Sequence, residues 1–573
     1  MNDRWKKVAS LILWCLFFFF VVFITTRVIS SNSNIIQPSP SPSISPTEII
    51  PQQNLNFPTI TPEVYSPSNP VNLWLSPLLP GDISGNFSQL KDIRKTNKLE
   101  DADISIELGD HNIISKWVYS LVAPFPTTTD NVTSDELMGL WINGSSEDIG
   151  QIILTSSTHS VLTNLWGPSS QKIKVVPETS LLSTAWETPR TWAIISFEEL
   201  EPQWKVISID GQSPISKSFD EFEYPLVVPV SLSGQDHAAK WFSEHYLEQT
   251  DNPIIQKTNR DPSLLTTVLL TGVTALVRGT ADMMELKGMT YPAEEIRDFL
   301  IDADILHINN EVPFSPKCPP SAQRISNQLL VFCSKPEYSD LLEDIGTDII
   351  ELSGDHLQDW GPDAVYYTIS LYEDHGWEYY GGGMDIEDAK KPLLIEHNGN
   401  KLAFLGCNAK DKGYAGASAT NPGAVSCDFD YLDKEIKQVI QRGYIPIVTF
   451  QHEEIWSTDP PQSVKEDFYK VALSGAVIAS GSQSHQPQTM EFYQNSFLHF
   501  GLGNLFFDQI FEGDQNKQAF LDQHVFYNGK YISTELLTTM FVDLAKSRPM
   551  TMEEREKLLG EIFSASDFLN TKK

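Results

Sequence analysis

An α/β fold in two domains, the second of them layered, is what this chain of 573 residues predicts. Three observations carry the prediction. The length exceeds what a single hydrophobic core organises. From about Leu264 onward, short apolar runs finish in polar or glycine-rich clusters, and helical patterns lie between several of them. Strands that alternate with helices build sheets covered by helices, and they gather binding groups on the loops at one strand edge.

The elements follow in chain order. Residues 8–24, VASLILWCLFFFFVVFI, are uncharged and apolar, with RWKK just before them. Such a run is near the lower limit for crossing a bilayer, and its basic flank belongs on the cytoplasmic side. The following ITTRVIS supplies no small-residue cleavage site, so residues 1–29 read as a cytoplasmic tip and transmembrane signal anchor. A cleaved signal peptide is the alternative, and either one exports the chain. The expected location is the cell membrane, single-pass, with the bulk of the chain extracytoplasmic. Residues 30–70 contain PSPSPSISPTEIIPQQ and PTITPEVYSPSNP, a Pro/Ser-rich linker that cannot build a core.

Residues 71–255 mix apolar segments such as WVYSLVAPF and TWAIISF with helical patches, which predicts a smaller α/β domain. Thr133 and Glu136 have capping-box spacing at a helix start. The surrounding APFPTTTDNVTSDEL resembles a strand-loop-helix connection of periplasmic solute-binding proteins, and that resemblance implies a small-molecule ligand for this domain. Trp117, Trp141, Trp166, Trp186, Trp192 and Trp204 are numerous enough to line a cleft, but core packing is the stronger expectation.

Residues 262–530 form the second domain, with strand-like runs TTVLLTGVTAL, DIIELSGDH, IPIVTFQHEE and GAVIASGSQSH and the helical pattern YLDKEIKQVIQRG. A C-terminal strand and helix, residues 531–573, pack on it. Thr551 and Glu554 in RPMTMEEREKLLGEIF give that last helix a capping box.

The net charge is −34, although Arg4, Lys6, Lys7 and Arg27 outweigh Asp3 at the N-terminus. So acidic a chain repels phosphate backbones, and nucleic acid is excluded as a partner. Cys15 lies in the apolar run, while Cys318, Cys333, Cys407 and Cys427 follow it. In an exported chain four cysteines predict two disulfides. Three pairings exist; the nearest-neighbour one, Cys318 with Cys333 and Cys407 with Cys427, is favoured over the other two, and buried free thiols remain the alternative.

Candidate ligands accumulate at the strand ends: Asn309 and Glu311, Asp355 and His356, His452 with Glu453 and Glu454, then Gln483 and His485. Oxygen and imidazole donors in this mixture suit zinc, manganese or iron. His307, His375, His397 and His499 match no motif and read as structural histidines.

Six of these segments in register resemble the capsule-synthesis protein CapA family, associated with bacterial poly-γ-glutamate capsules and related to calcineurin-like metallophosphoesterases. The carriers are ADILHINNEVPF, ELSGDHLQDWG, YGGG, QHEE, GSQSHQPQ and GLGNLFFDQ, between roughly Thr266 and Gln509. The resemblance implies a metallophosphoesterase-like layered α/β sandwich. It places Glu311, Asp355, His452, Gln483 and His485 at metal positions, His356 facing the substrate, and Arg278 at the end of the first motif. Asn309, Glu454 and Asn504 would stand behind the ligands.

Three departures alter that implication. Val273 stands where the family has a metal-binding aspartate, Gln483 replaces a histidine, and Asp355 replaces an asparagine. A valine holds no cation, and a glutamine offers only a neutral carbonyl oxygen. One divalent metal rather than two, or none, is therefore expected, and the sequence leaves open whether the chain is an enzyme. The functional expectation is a CapA-like protein that synthesises, anchors or trims a cell-surface polymer, with metal-assisted hydrolysis as its chemistry. The alternative is a non-catalytic protein that binds a ligand or polymer.

Overall fold

Alternating apolar runs between residues 71 and 234 assemble into a nine-stranded mixed sheet. The computed structural model describes residues 70–80, 83, 87, 90–248, 254–321, 330–410, 415–510 and 513–568. The anchor expected over 1–29, and all but the last residue of the linker expected over 30–70, lie outside the described residues. Among the described residues no helix is long and apolar enough to cross a membrane.

The first sheet runs in the order Ile93–Thr96, Val71–Leu75, Ile104–Leu108, Val227–Gly234, Ile113–Pro124, Thr191–Ser196, Gln151–Leu154, Ile173–Val175. Trp204–Val206 pairs with the long Ile113–Pro124 strand. Helices Ser134–Asn143 and Ser156–Trp166 bury Leu137, Leu140, Val161 and Leu162 in its core. The Thr133 hydroxyl accepts the Glu136 N–H at 3.1 Å, but the reciprocal half of the box does not form. The Glu136 carboxylate instead accepts the Ser146 hydroxyl at 2.6 Å and ties down the loop after the helix. Trp117, Trp141, Trp192 and Trp204 are buried in this core and Trp166 packs against it, while Trp186 meets Phe492 of a later sheet and Phe568 just past the C-terminal helix.

Two further sheets follow. One has nine strands, ordered Glu378–Tyr380, Ile349–Glu351, Ile305–Asn310, Leu265–Thr271, Gln518–Tyr527, Lys530–Phe541, Ser547–Pro549, with short Val273–Thr274 and Asn504–Phe506 off that path. The other has six, ordered Leu393–His397, Asn400–Asn408, Ile445–Gln451, Ile478–Ser482, Ser496–His499, Met490–Tyr493.

Period-two alternation decides how these sheets stack. Val268, Leu270, Ile305 and Ile349 of one sheet share a core with Leu402, Phe404, Ile447 and Ile478 of the other. Their neighbours Leu269, Leu306 and Ile350 face helices that contribute Met284, Leu341 and Ile369. On the far side Ala403, Val448 and Ala479 face Ile436, Val439, Phe468 and Val471. The result is a four-layer α/β/β/α sandwich. Strands buried on both faces in this way read as continuous apolar runs, which is how they stand in the sequence.

The first sheet is fastened onto the sandwich. Phe125, just past the Ile113–Pro124 strand, enters the inter-sheet core beside Phe492, Phe497 and Phe568. Arg555 in the final helix, Met552–Ala565, grips Asp130 with two bonds of 2.7 and 2.9 Å. Thr551 and Glu554 close a full capping box at the start of that helix. The structure pairs Cys318 with Cys333 and Cys407 with Cys427, with Cα separations of 5.8 and 5.0 Å.

Candidate functional site

The face between the two sheets is apolar in its middle and polar at the carboxyl ends of its strands. Ile305, His307 and Asn309 share one face of their strand, and Glu311 follows in the same register. Ile447, Thr449 and Gln451 do the same on the opposite sheet, and Ile478, Ser480 and Ser482 beside them. Close backbone approach lets the edges meet. A Cβ on Gly354 would lie 2.6 Å from the Glu311 carbonyl oxygen, and one on Gly272 would lie 2.1 Å from that of Gly503. Only glycine fits at either place.

Glu311, Asp355 and His356 converge there, each offering an atom within 4.8 Å of the others. Glu311 and Asp355 are fully buried. Burial first, and then the charge of Asp355, raises the Glu311 carboxyl above its ordinary range. Burial would raise Asp355 as well, but His356, a hydrogen bond with Glu311 and the Lys410 ammonium together hold it below the usual range. The two carboxyls are thus pushed in opposite directions, Glu311 toward holding a proton and Asp355 toward losing it.

His356 donates from Nδ1 to Asp359 Oδ2 at 2.7 Å and turns Nε2 to within 4.0 Å of Asp355 Oδ2. Burial would lower its pKa; the Asp359 hydrogen bond and the surrounding carboxylates override that and bring it to about 9. Its ring also lies 4.7 Å from that of Phe332, whose backbone N–H donates to the same Asp359 oxygen.

Gln451 is a central member of the site that sequence reasoning missed. Its Nε2 donates to Glu311 Oε1 at 3.2 Å and Asp355 Oδ1 at 3.1 Å, and it also contacts Gln483 Oε1. His452 is not brought in. Its register matches Val448 and Phe450, which face the helices, so its Nε2 meets Asp467 at 3.1 Å instead. The expectation that His452 ligates a metal here is thus corrected by strand alternation. Counting in twos along IPIVTFQH from Ile447 leads to Gln451 and would have found it.

The remaining candidates ring the cluster. His485 Nδ1 bonds Asn504 Oδ1 at 2.9 Å, while its Nε2 lies 3.8 Å from Glu454. Asn309 spans Glu351 Oε2 at 2.9 Å and Ser482 Oγ at 3.3 Å, so it braces the site from behind. Arg278 is held by Asp508 and Gln509, at 2.8 Å each, over the Phe507 ring. Arg278, Gln483 and His485 all adopt left-handed backbone, with φ of 47°, 71° and 50°. Side-chain-bearing residues held in that region cluster where loops are over-determined by their surroundings.

The donor set can be tested against the metals that the architecture implies. Val273 is buried with Ala275, Val277, Val312 and Phe507 and offers nothing to a cation. Gln451 turns its carbonyl oxygen to the Ser482 hydroxyl and presents N–H groups to the carboxylates. Lys410 places its ammonium 2.6 Å from Asp355 Oδ2 and 3.9 Å from Glu454. A two-metal arrangement does not fit these residues. One cation on Glu311, Asp355 and His356 fits only where Lys410 withdraws.

Fold and site together define an α/β/β/α sandwich with a buried carboxylate–imidazole cluster at its strand edge. Residues 267–509 match the family model for "Bacterial capsule synthesis protein PGA_cap". Over that segment the chain is similar to CapA-family capsule-synthesis proteins. The chain is 24% identical to "Capsule biosynthesis protein CapA" of Bacillus anthracis over 272 residues, 46% of this chain and 65% of that one. It is also 24% identical to "PGA biosynthesis protein CapA" of Bacillus subtilis (strain 168) over 234 residues, 40% of this chain and 60% of that one. The chain thus spans somewhat less than two thirds of each of these relatives. Among solved structures, a 5'-nucleotidase precursor from Thermus thermophilus aligns with 52% of this chain and 58% of its own, at 12% identity and a TM-score of 0.30. An ABC-type phosphate transport receptor from Vibrio cholerae aligns with 25% and 71%, at 16% identity and a TM-score of 0.21.

Proposed function

We propose that this chain is a membrane-anchored, extracytoplasmic protein that acts on an anionic cell-surface polymer of the poly-γ-glutamate type during its synthesis, anchoring or trimming. The observation that carries the reading is the convergence of Glu311, Asp355, His356 and Gln451 at the strand edge of a CapA-family domain. The two disulfides agree with an exported location. With a net charge of −34 the chain repels a polyanion at long range, so recognition falls to local cations, Lys410, His356 and Arg278.

For cleavage of a backbone amide or a phosphoester, His356 is the proton donor. Asp359 fixes its tautomer, and Nε2–H faces the cluster. The Glu311–Asp355 pair is placed to orient a water. A second reading, polymer binding without cleavage, is favoured by Val273 and Gln483, which stand where the resemblance implies an aspartate and a histidine ligand.

The test uses residues 65–573, which form one compact unit. Poly-γ-glutamate is titrated into the protein by calorimetry, and its chain length is followed by gel electrophoresis. Binding with shortening that His356→Ala abolishes supports hydrolysis. Binding with no shortening supports the second reading, and no binding overturns both.

A further inference from the structure

We propose that Lys410 is the resident cation of this site, standing where a divalent metal would bind Asp355, so that the polymer's carboxylates are met without metal. The inference rests on the reading above and names the charge that does the work. Asp355 is buried and both its oxygens are engaged: Oδ2 by Lys410 at 2.6 Å, Oδ1 by the Gln451 amide at 3.1 Å.

The lysine is built in rather than draped over the surface. It follows directly on the Asn400–Asn408 strand. Its N–H donates to Asn408 Oδ1 at 3.0 Å, and the preceding Ala409 N–H donates to the Gln451 carbonyl at 2.8 Å. Cys407, three residues earlier, is bonded to Cys427. The strand that delivers Lys410 is thereby tied to the strand that delivers Gln451.

The rest of the site offers little to a second metal cation. Val273 removes the carboxylate that a second cation would need. Gln483 stands where the resemblance has a histidine, Gln451 presents an amide N–H to the carboxylates, and among the described residues Gln483 Nε2 finds no acceptor in the protein. The Lys410 ammonium, on a side chain that is partly exposed, is the group an incoming carboxylate would meet. A dication close to Asp355 would be repelled by the ammonium, whereas a carboxylate would be drawn to it.

The experiment titrates Mn²⁺ and Zn²⁺ by calorimetry into the 65–573 unit, wild type and Lys410→Met, with Lys410→Arg as a charge-retaining variant and circular dichroism to check folding. The wild type and Lys410→Arg should take up no metal at 100-fold molar excess. Lys410→Met should gain one site, at least 100-fold tighter than any residual binding, and Asp355→Asn in that background should abolish it. Stoichiometric binding by the wild type overturns the proposal even if Lys410→Met does not fold. A folded Lys410→Met that still binds nothing also overturns it. A parallel titration with poly-γ-glutamate in EDTA separates this idea from the function it rests on. Polymer binding by the wild type, weakened at least tenfold in Lys410→Met, supports both. No polymer binding sinks the functional reading while the metal result stands, and metal-dependent polymer binding sinks the proposal alone.

Discussion

His356 Nδ1 and the backbone N–H of Phe332 share one acceptor, Asp359 Oδ2, each at 2.7 Å. The residue that aims the imidazole therefore also anchors the chain next to Cys333. Asp359→Asn removes the charge that keeps His356 protonated and weakens both bonds. The imidazole pKa, followed by NMR, should fall by at least one unit, and any His356-dependent cleavage should shift to lower pH. An unchanged titration would mean that the other carboxylates alone set the charge of His356.

The stability contributed by His356 should fall as pH rises from about 6.5 to 9. Burial opposes protonation of His356, but Asp359 and its acidic neighbours raise it to about 9, above the ordinary 6.5. The folded state then binds more protons than the unfolded one between those values. Its contribution, roughly 3 kcal/mol, is complete below pH 6.5 and is lost as pH rises through 9. Glu311, also raised, works in the same direction at lower pH. Asp355 is lowered to about 2, so its share is present above pH 3.8 and is lost as pH falls toward 2. In thermal melts the stability advantage of the wild type over His356→Ala should shrink as pH rises from 6.5 through 9.

Replacing Gln451 should cost far more than replacing His452. Gln451→Ala leaves Glu311 Oε1, Asp355 Oδ1 and Ser482 without their amide partner in a buried setting, a loss of about 2–4 kcal/mol. His452→Ala removes one partly exposed contact with Asp467, worth under about 1 kcal/mol. Urea unfolding of the two variants decides the order, and the reverse order would place His452 in the site.

Losing the Cys318–Cys333 bridge should loosen the segment that carries Phe332. A closed loop of this size is worth on the order of 3 kcal/mol in the chain-entropy model. Cys318→Ser with Cys333→Ser should lower the unfolding free energy by about that amount and raise the mobility of His356, whose ring contacts Phe332. A stability loss with no change at His356 would limit the bridge to a purely structural role.

Much of the architecture could be read from local patterns. Runs such as TTVLLT and IPIVTF are apolar on both faces, which requires burial on both sides and hence a layered fold. Thr551 and Glu554 have capping-box spacing and close the full box, whereas Thr133 and Glu136, with the same spacing, close only half of one. The nearest-neighbour disulfides join cysteines 15 and 20 residues apart, a separation that sequence can weigh. Glu311, Asp355 and His356 stand in motifs whose polar residues interrupt apolar runs, so their gathering at one edge was also foreseeable.

Which polar group at a strand end turns inward was decided only by the stacked sheets. Alternation is local, but the face that becomes interior depends on which side the second sheet covers; that choice selected Gln451 and sent His452 to Asp467. The Lys410–Asp355 pair spans 55 residues and two sheets. No periodicity records such a contact, because it exists only once packing has brought both strand ends to one edge and burial has made an unpaired carboxylate costly.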